Sequence, residues 1–156
     1  MTIITQSKAG MPQPGLDAAR EGRSFHCYAD DITPGASETT LTDETLVHNV
    51  PAGYRTIISQ IVFGVNSVDD DCEFRLASCS GAGATGTATQ LNVHRHVASG
   101  AAFISQEMFV HEIVPNICVK YKDGARSISF VVNANDPATV ITVGFSGWDE
   151  LDTDIN

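Results

Sequence analysis

Histidines, cysteines and carboxylates have the widest chemical reach in this chain, and their spacing decides what they could do. His94-Arg95-His96 on an extended strand would present both imidazoles to one face, the beginning of a metal site. A cupin-type centre also needs a carboxylate a few residues on and another His from a second strand. Instead Val97-Ala98-Ser99-Gly100 follows, and Glu107, His111 and Glu112 stand at the wrong spacing. We read the pair as part of a polar strand, solvated or facing an interface, and assign no metal ligand; a metal-dependent, cupin-like enzyme using His94 and His96 is a third reading, which the absence of stoichiometric transition metal in the purified protein would end. The four cysteines, Cys27, Cys72, Cys79 and Cys118, form neither CxxC pairs nor a dense disulfide scaffold and are expected to be buried, reduced thiols. A Cys72–Cys79 bridge across a turn stays open, because spacing does not test the separation a disulfide requires. The serines lack a GxSxG elbow, and no cysteine is linked by spacing to a His and an acid. Asp30-Asp31 and Asp69-Asp70-Asp71 read as turn carboxylates without the spaced oxygens and glycine of a calcium loop. No catalytic residue and no cofactor site is assigned, and the chain is not expected to be an enzyme.

The elements around these residues are strands. Cys72, Phe74 and Leu76 alternate with Glu73 and Arg75, the period of a half-buried strand. The same alternation sets Leu91, Val93 and Val97 against Gln90, Asn92, His94 and His96. It also sets Ile117, Val119 and Tyr121 against Cys118, Lys120 and Lys122, and Ile128, Phe130 and Val132 against Ser127 and Ser129. Strands are expected at 44–50, 54–66, 72–78, 90–97, 101–114, 116–122, 127–133 and 139–145, with 25–29 as an extra one. Runs 54–65 and 101–114 are apolar on both faces over part of their length, as expected where a neighbouring subunit or arm covers the second face. No segment carries sustained helical spacing. The expectation is all-β: an eight-stranded jelly-roll β-sandwich with an extended N-terminal arm. Ser80-Gly81-Ala82-Gly83-Ala84-Thr85-Gly86 falls between strands and lacks the Gly-Lys-Ser/Thr of a phosphate cradle, so a flexible loop is expected there.

Three regions follow: an arm at 1–23, the sandwich at 24–150 and an acidic tail at 151–156. In the arm, Gly10-Met11-Pro12-Gln13-Pro14-Gly15 forbids a regular ladder, and the stretch from Leu16 to Arg23 has room for two helical turns at most. The arm is either a segment that orders on a partner or an inert terminus. Met11, Pro12, Pro14 and Leu16 are its candidate partner-binding residues. Trp148, the only tryptophan, is another, unless it caps the sandwich end.

With 156 residues and 42% hydrophobic content, the chain supports a single core. Nineteen acidic against 9 basic residues give a formal charge of -10, which opposes contact with nucleic acid phosphates. No apolar run reaches the ~18 residues of a membrane span, and the start lacks the pattern of a secretory signal, so residence in a cytoplasm is expected.

The stretch Leu46-Val47-His48-Asn49-Val50-Pro51-Ala52-Gly53-Tyr54-Arg55-Thr56-Ile57-Ile58-Ser59-Gln60-Ile61-Val62-Phe63, followed by the turn residues Asn66-Ser67, resembles the opening of small jelly-roll proteins of tailed-phage virions. Val140-Ile141-Thr142-Val143-Gly144-Phe145-Ser146-Gly147 resembles their closing strand and Ser-Gly exit, so the likeness spans about residues 44–150. Those proteins usually place a Pro-Gly-Asp turn after the long middle strand. Here the position reads Val114-Pro115-Asn116-Ile117, and a turn is expected to survive because Asn tolerates a left-handed backbone. The resemblance implies a phage capsid decoration (cement) protein, a homotrimer on the virion surface, assembled in the host cytoplasm and clamping neighbouring major capsid protein subunits. The alternative is a tail or appendage module binding a host receptor or glycan, although residues 80–89 carry no aromatic for stacking on a sugar.

Overall fold

The computed structural model describes residues 23–35, 37–65, 71–96, 108–121 and 126–152, with the backbone alone at 94–96 and 108–116. Nine strands run among these residues: β1 (Ser24–Ile32), β2 (Ser37–Thr40), β3 (His48–Val50), β4 (Tyr54–Val65), β5 (Cys72–Cys79), β6 (Ala88–His96), β7 (Met108–Lys120), β8 (Arg126–Ala134) and β9 (Ile141–Leu151). They form two antiparallel sheets of a β-sandwich, ordered β1-β9-β4-β7 and β2-β8-β5-β6, with β3 also along β8. The pairing is nested: β1 with β9, β2 and β3 with β8, β4 with β7, and β5 with β6. One long hairpin, with its tip between β5 and β6, is thus folded over on itself, and every strand meets its partner in the antiparallel sense that a hairpin supplies.

Alternation builds the core as expected for β5 and β8: Phe74, Leu76, Ile128, Phe130 and Val132 all lie at 2% exposure or less. Facing them from the other sheet are Ile58, Ile61, Phe63, Val143 and Phe145. Two aromatic pairs bridge the sheets, Phe63 with Phe74 at 5.5 Å and Phe130 edge-on to Phe145 at 5.9 Å, both inside the range where ring pairs attract. The serines on the other face of β8 are buried as well, because loops cross over them. Ser129 Oγ donates to the Leu41 carbonyl at 2.6 Å, so a hydroxyl suits the position better than a hydrocarbon.

Several expected boundaries change. Among the described residues the strand count is nine rather than eight: 25–29 extends to the full β1, and β2 was not anticipated. The expected strand 44–50 splits into a 3-10 turn at Glu44–Leu46 and the short β3, because Asp43 caps the turn by accepting from Thr45 N at 2.8 Å. β9 continues past 145 to Leu151. The turn expected at Pro115 is absent: β7 runs through it. Ile113 pairs with Gln60 and Ile117 with Ile58, so residues 114–116 bulge opposite Ser59. β7 is an edge strand, where a proline that donates no hydrogen bond is tolerated at a bulge.

The face assignment of β6 also inverts. An irregularity between Leu76 and Ala77 places Leu91 against the core and leaves Val93 42% exposed, while His94 and His96 take the register positions opposite Phe74 and Cys72. Cys72 and Cys79 end up at opposite ends of β5, about 23 Å apart at strand rise, which excludes a bridge between them. None of the four cysteines is disulfide-bonded; three are buried and Cys118 is exposed. Among the described residues no helix is long and apolar enough to cross a membrane.

Candidate functional site

At one end of the sandwich, where β3 turns into β4, polar side chains collect. Pro51-Ala52-Gly53 makes the turn: Tyr54 N donates to the Pro51 carbonyl at 3.1 Å, and Gly53 takes the positive φ of 82° that the third position of a type II turn demands. The turn sends His48 along one sheet and Thr56 along the other. Between them stands Asp149, which shares the core-facing alternation of Ile141, Val143, Phe145 and Gly147 on β9 and is only 6% exposed. Thr56 Oγ donates to Asp149 Oδ1 at 2.6 Å, and His48 Nε2 lies 3.0 Å from the same oxygen. A carboxylate only accepts, so His48 Nε2 carries the proton. Phe25 stacks on the His48 ring at 3.7 Å, and the backbone of Arg23 accepts from Asp149 N at 3.0 Å.

An acid, an imidazole and a hydroxyl in contact suggest a catalytic triad, but the connectivity differs. In a triad the hydroxyl donates to the imidazole; here it donates to the carboxylate and is fully buried. The network ties the two sheets together and leaves no oxygen placed for attack.

The outward face of the same β9 segment carries Trp148. Its cross-strand neighbours are Ser24 on β1 and Ile57 on β4, with Cys118 next on β7. The adjoining row is charged: Glu150 accepts from Arg55 at 2.6 Å, and Lys120 lies 3.6 Å from Asp152. The Trp148 indole donates to Glu150 at 3.4 Å and stays half-buried. Trp148 therefore does not cap the sandwich end; Asp149, pointing the opposite way, fills that role. What results is a small apolar patch of Trp148, Cys118 and the buried Ile57 between them, rimmed by paired charges. Burial raises the Cys118 thiol above its ordinary value despite nearby Arg55 and Lys120, so the group stays a neutral thiol.

The glycine-rich stretch is pinned rather than loose. Ser127 Oγ donates to the Gly81 carbonyl at 2.6 Å and accepts from Ala84 N at 2.8 Å, while Asn49 accepts from Gly83 N at 2.9 Å. Its Gly81, Gly83 and Ala84 amides all donate within the protein.

Of the sequence-derived candidates, Trp148 lies in this patch; Met11, Pro12, Pro14 and Leu16 lie outside the described residues, as do the side chains of His94 and His96. Among the described residues no three His, Cys, Asp or Glu side chains gather closely enough to hold a metal ion. Sequence reading missed the His48–Asp149–Thr56 network, and the signal was present: a carboxylate on the core-facing parity of β9 requires partners. Compared with known proteins, the chain matches no family model and no curated sequence.

Proposed function

We propose that this chain is a structural virion protein that decorates a phage capsid and bridges neighbouring major capsid subunits, without bond-making chemistry. The observation that carries the reading is the patch on the outward sheet face: Trp148 in an apolar row, framed by Arg55–Glu150 and Lys120–Asp152. The nested strand order also supports it. Taking β2 and β3 as two halves of one interrupted strand gives eight strands in two four-stranded sheets, the winding of a jelly roll. The resemblance of residues 44–150 supplies the virion context and a homotrimer, and the sandwich end tied by Asp149 gives the body the rigidity a clamp needs. In this reading the arm at 1–23 extends contact to the shell or to a neighbouring subunit.

The test is co-sedimentation of the full chain with empty, expanded shells assembled from the major capsid protein of its own virion. Saturable binding, lost with Trp148→Ala and accompanied by a higher shell disruption temperature, is expected. Failure to bind shells together with specific binding to host-cell surface glycan or protein would overturn the reading in favour of a receptor-binding module.

A further inference from the structure

A sandwich of two open sheets has four edges, and the sequence blunts three of them. The edge strand β7 carries the bulge at 114–116 with Pro115, β6 carries its irregularity at Leu91, and the β2/β3 edge is broken into pieces of four and three residues. The fourth edge, β1, has neither proline nor lysine and keeps a regular register over six residues, from Ser24 to Ala29, before its own irregularity at Asp30–Asp31. Among the described residues its only strand neighbour is β9.

The direction of its open hydrogen-bonding groups is set by one bond. The Arg23 carbonyl accepts from Asp149 N, so Arg23 faces β9, and with it Phe25, Cys27 and Ala29. Ser24, His26 and Tyr28 therefore turn their N–H and C=O groups to the open edge. Their side chains are exposed, and the rings of His26 and Tyr28 lie nearly parallel at 5.9 Å.

We infer that β1 pairs antiparallel with β1 of a second copy about a two-fold axis at Cys27, joining two four-stranded sheets into one of eight. This register is self-complementary. His26 meets Tyr28 of the other copy twice, giving a ladder of four rings on the outer face. Phe25 meets Ala29, large against small, on the core side, and Ser24 meets Asp30, so no like charges face each other at paired positions. Shifting the register by one pair in either direction is worse. One shift sets His26 against itself and Phe25 against Cys27; the other brings Phe25 against Asp31. An isologous edge contact of this kind is compatible with a trimer formed through other surfaces, where it would join two trimers. It concerns the free protein only and does not depend on the capsid reading.

Sedimentation velocity of the full chain tests it with paired substitutions on the outward face. His26→Lys with Tyr28→Lys sets ammonium groups against each other and should weaken self-association at least about tenfold, halving the mass at micromolar concentration. His26→Glu with Tyr28→Lys sets opposite charges in register and should return the association to near the original. Amide exchange at His26 and Tyr28 should slow as concentration rises. A wild-type mass that neither pair alters, or a wild-type monomer at all concentrations, would overturn the inference, as would failure of the charge-opposed pair to restore what the lysine pair loses.

Discussion

The two halves of β9 hold the same pair of sheets together by different physics. From Ile141 to Phe145 the inward positions are hydrocarbon, fully buried against Phe63, Phe130 and their neighbours, and the attraction is spread over many weak contacts. From Gly147 to Asp149 the inward positions are a glycine and a carboxylate, and cohesion between the sheets rests on the 3.0 Å contact of His48 with Asp149, whose carboxylate the Thr56 hydroxyl holds at 2.6 Å from within its own sheet. The first half tolerates a loss of shape in proportion to the volume removed. The second half depends on specific partners, since a single carboxylate oxygen receives both donors.

The most severe break in that contrast is Gly147→Ala. An added Cβ would stand 1.8 Å from the Ile57 carbonyl oxygen, next to the register irregularity at Ser59. A cost above about 4 kcal/mol is expected, seen as insoluble protein or the loss of a cooperative melt. Next is Phe145→Ala in the apolar half, expected to cost about 3–5 kcal/mol in denaturant titration.

Asp149→Ala should cost about 2–3 kcal/mol by stranding the His48 and Thr56 donors. Combining it with His48→Phe and Thr56→Val should recover part of that, whereas no second substitution of this kind would rescue Phe145→Ala. If the triple variant is no more stable than Asp149→Ala alone, the network is not what joins the sheets at this end.

A smaller effect depends on pH. Burial pushes the Cys27 thiol up to about 11, well above its ordinary value, so the folded protein holds that proton longer than the unfolded chain does. Its contribution is complete below pH 9 and is lost as pH rises through 11. Melting temperatures measured from pH 8 to 11 should therefore fall less steeply for Cys27→Ala than for the unsubstituted chain. The smallest expected effect on stability, under about 1 kcal/mol, is that of Trp148→Ala, since the ring packs outward on the sheet. A large drop in melting temperature would mean that Trp148 belongs to the core half of the comparison instead of to a binding surface.

Much of this was legible in the chain. Alternation at Cys72, Phe74 and Leu76 and at Ile128, Phe130 and Val132 marks core faces because a strand sends successive side chains to opposite sides, whatever its neighbours are. Pro51-Ala52-Gly53 marks its turn for an equally local reason, the positive φ that glycine takes without strain. The patterning failed where a neighbour intervened. Val114-Pro115-Asn116 is a turn by composition, yet it is a bulge because β4 pairs with residues on both sides of it. Val93 shares the local parity of Leu91, yet the irregularity opposite β5 turns it outward.

The sequence by itself determined the all-β character, the positions of most strands and the lack of a recognisable catalytic motif, because these follow from periods and turn residues within a few positions of each other. Only the tertiary structure decided that His48, Thr56 and Asp149 meet, that Trp148 faces outward and that β1 is an open edge with a regular register from Ser24 to Ala29. Those depend on which strands lie side by side, with partners as far apart in the chain as Ser24 and Trp148, and local preference carries no record of such pairing.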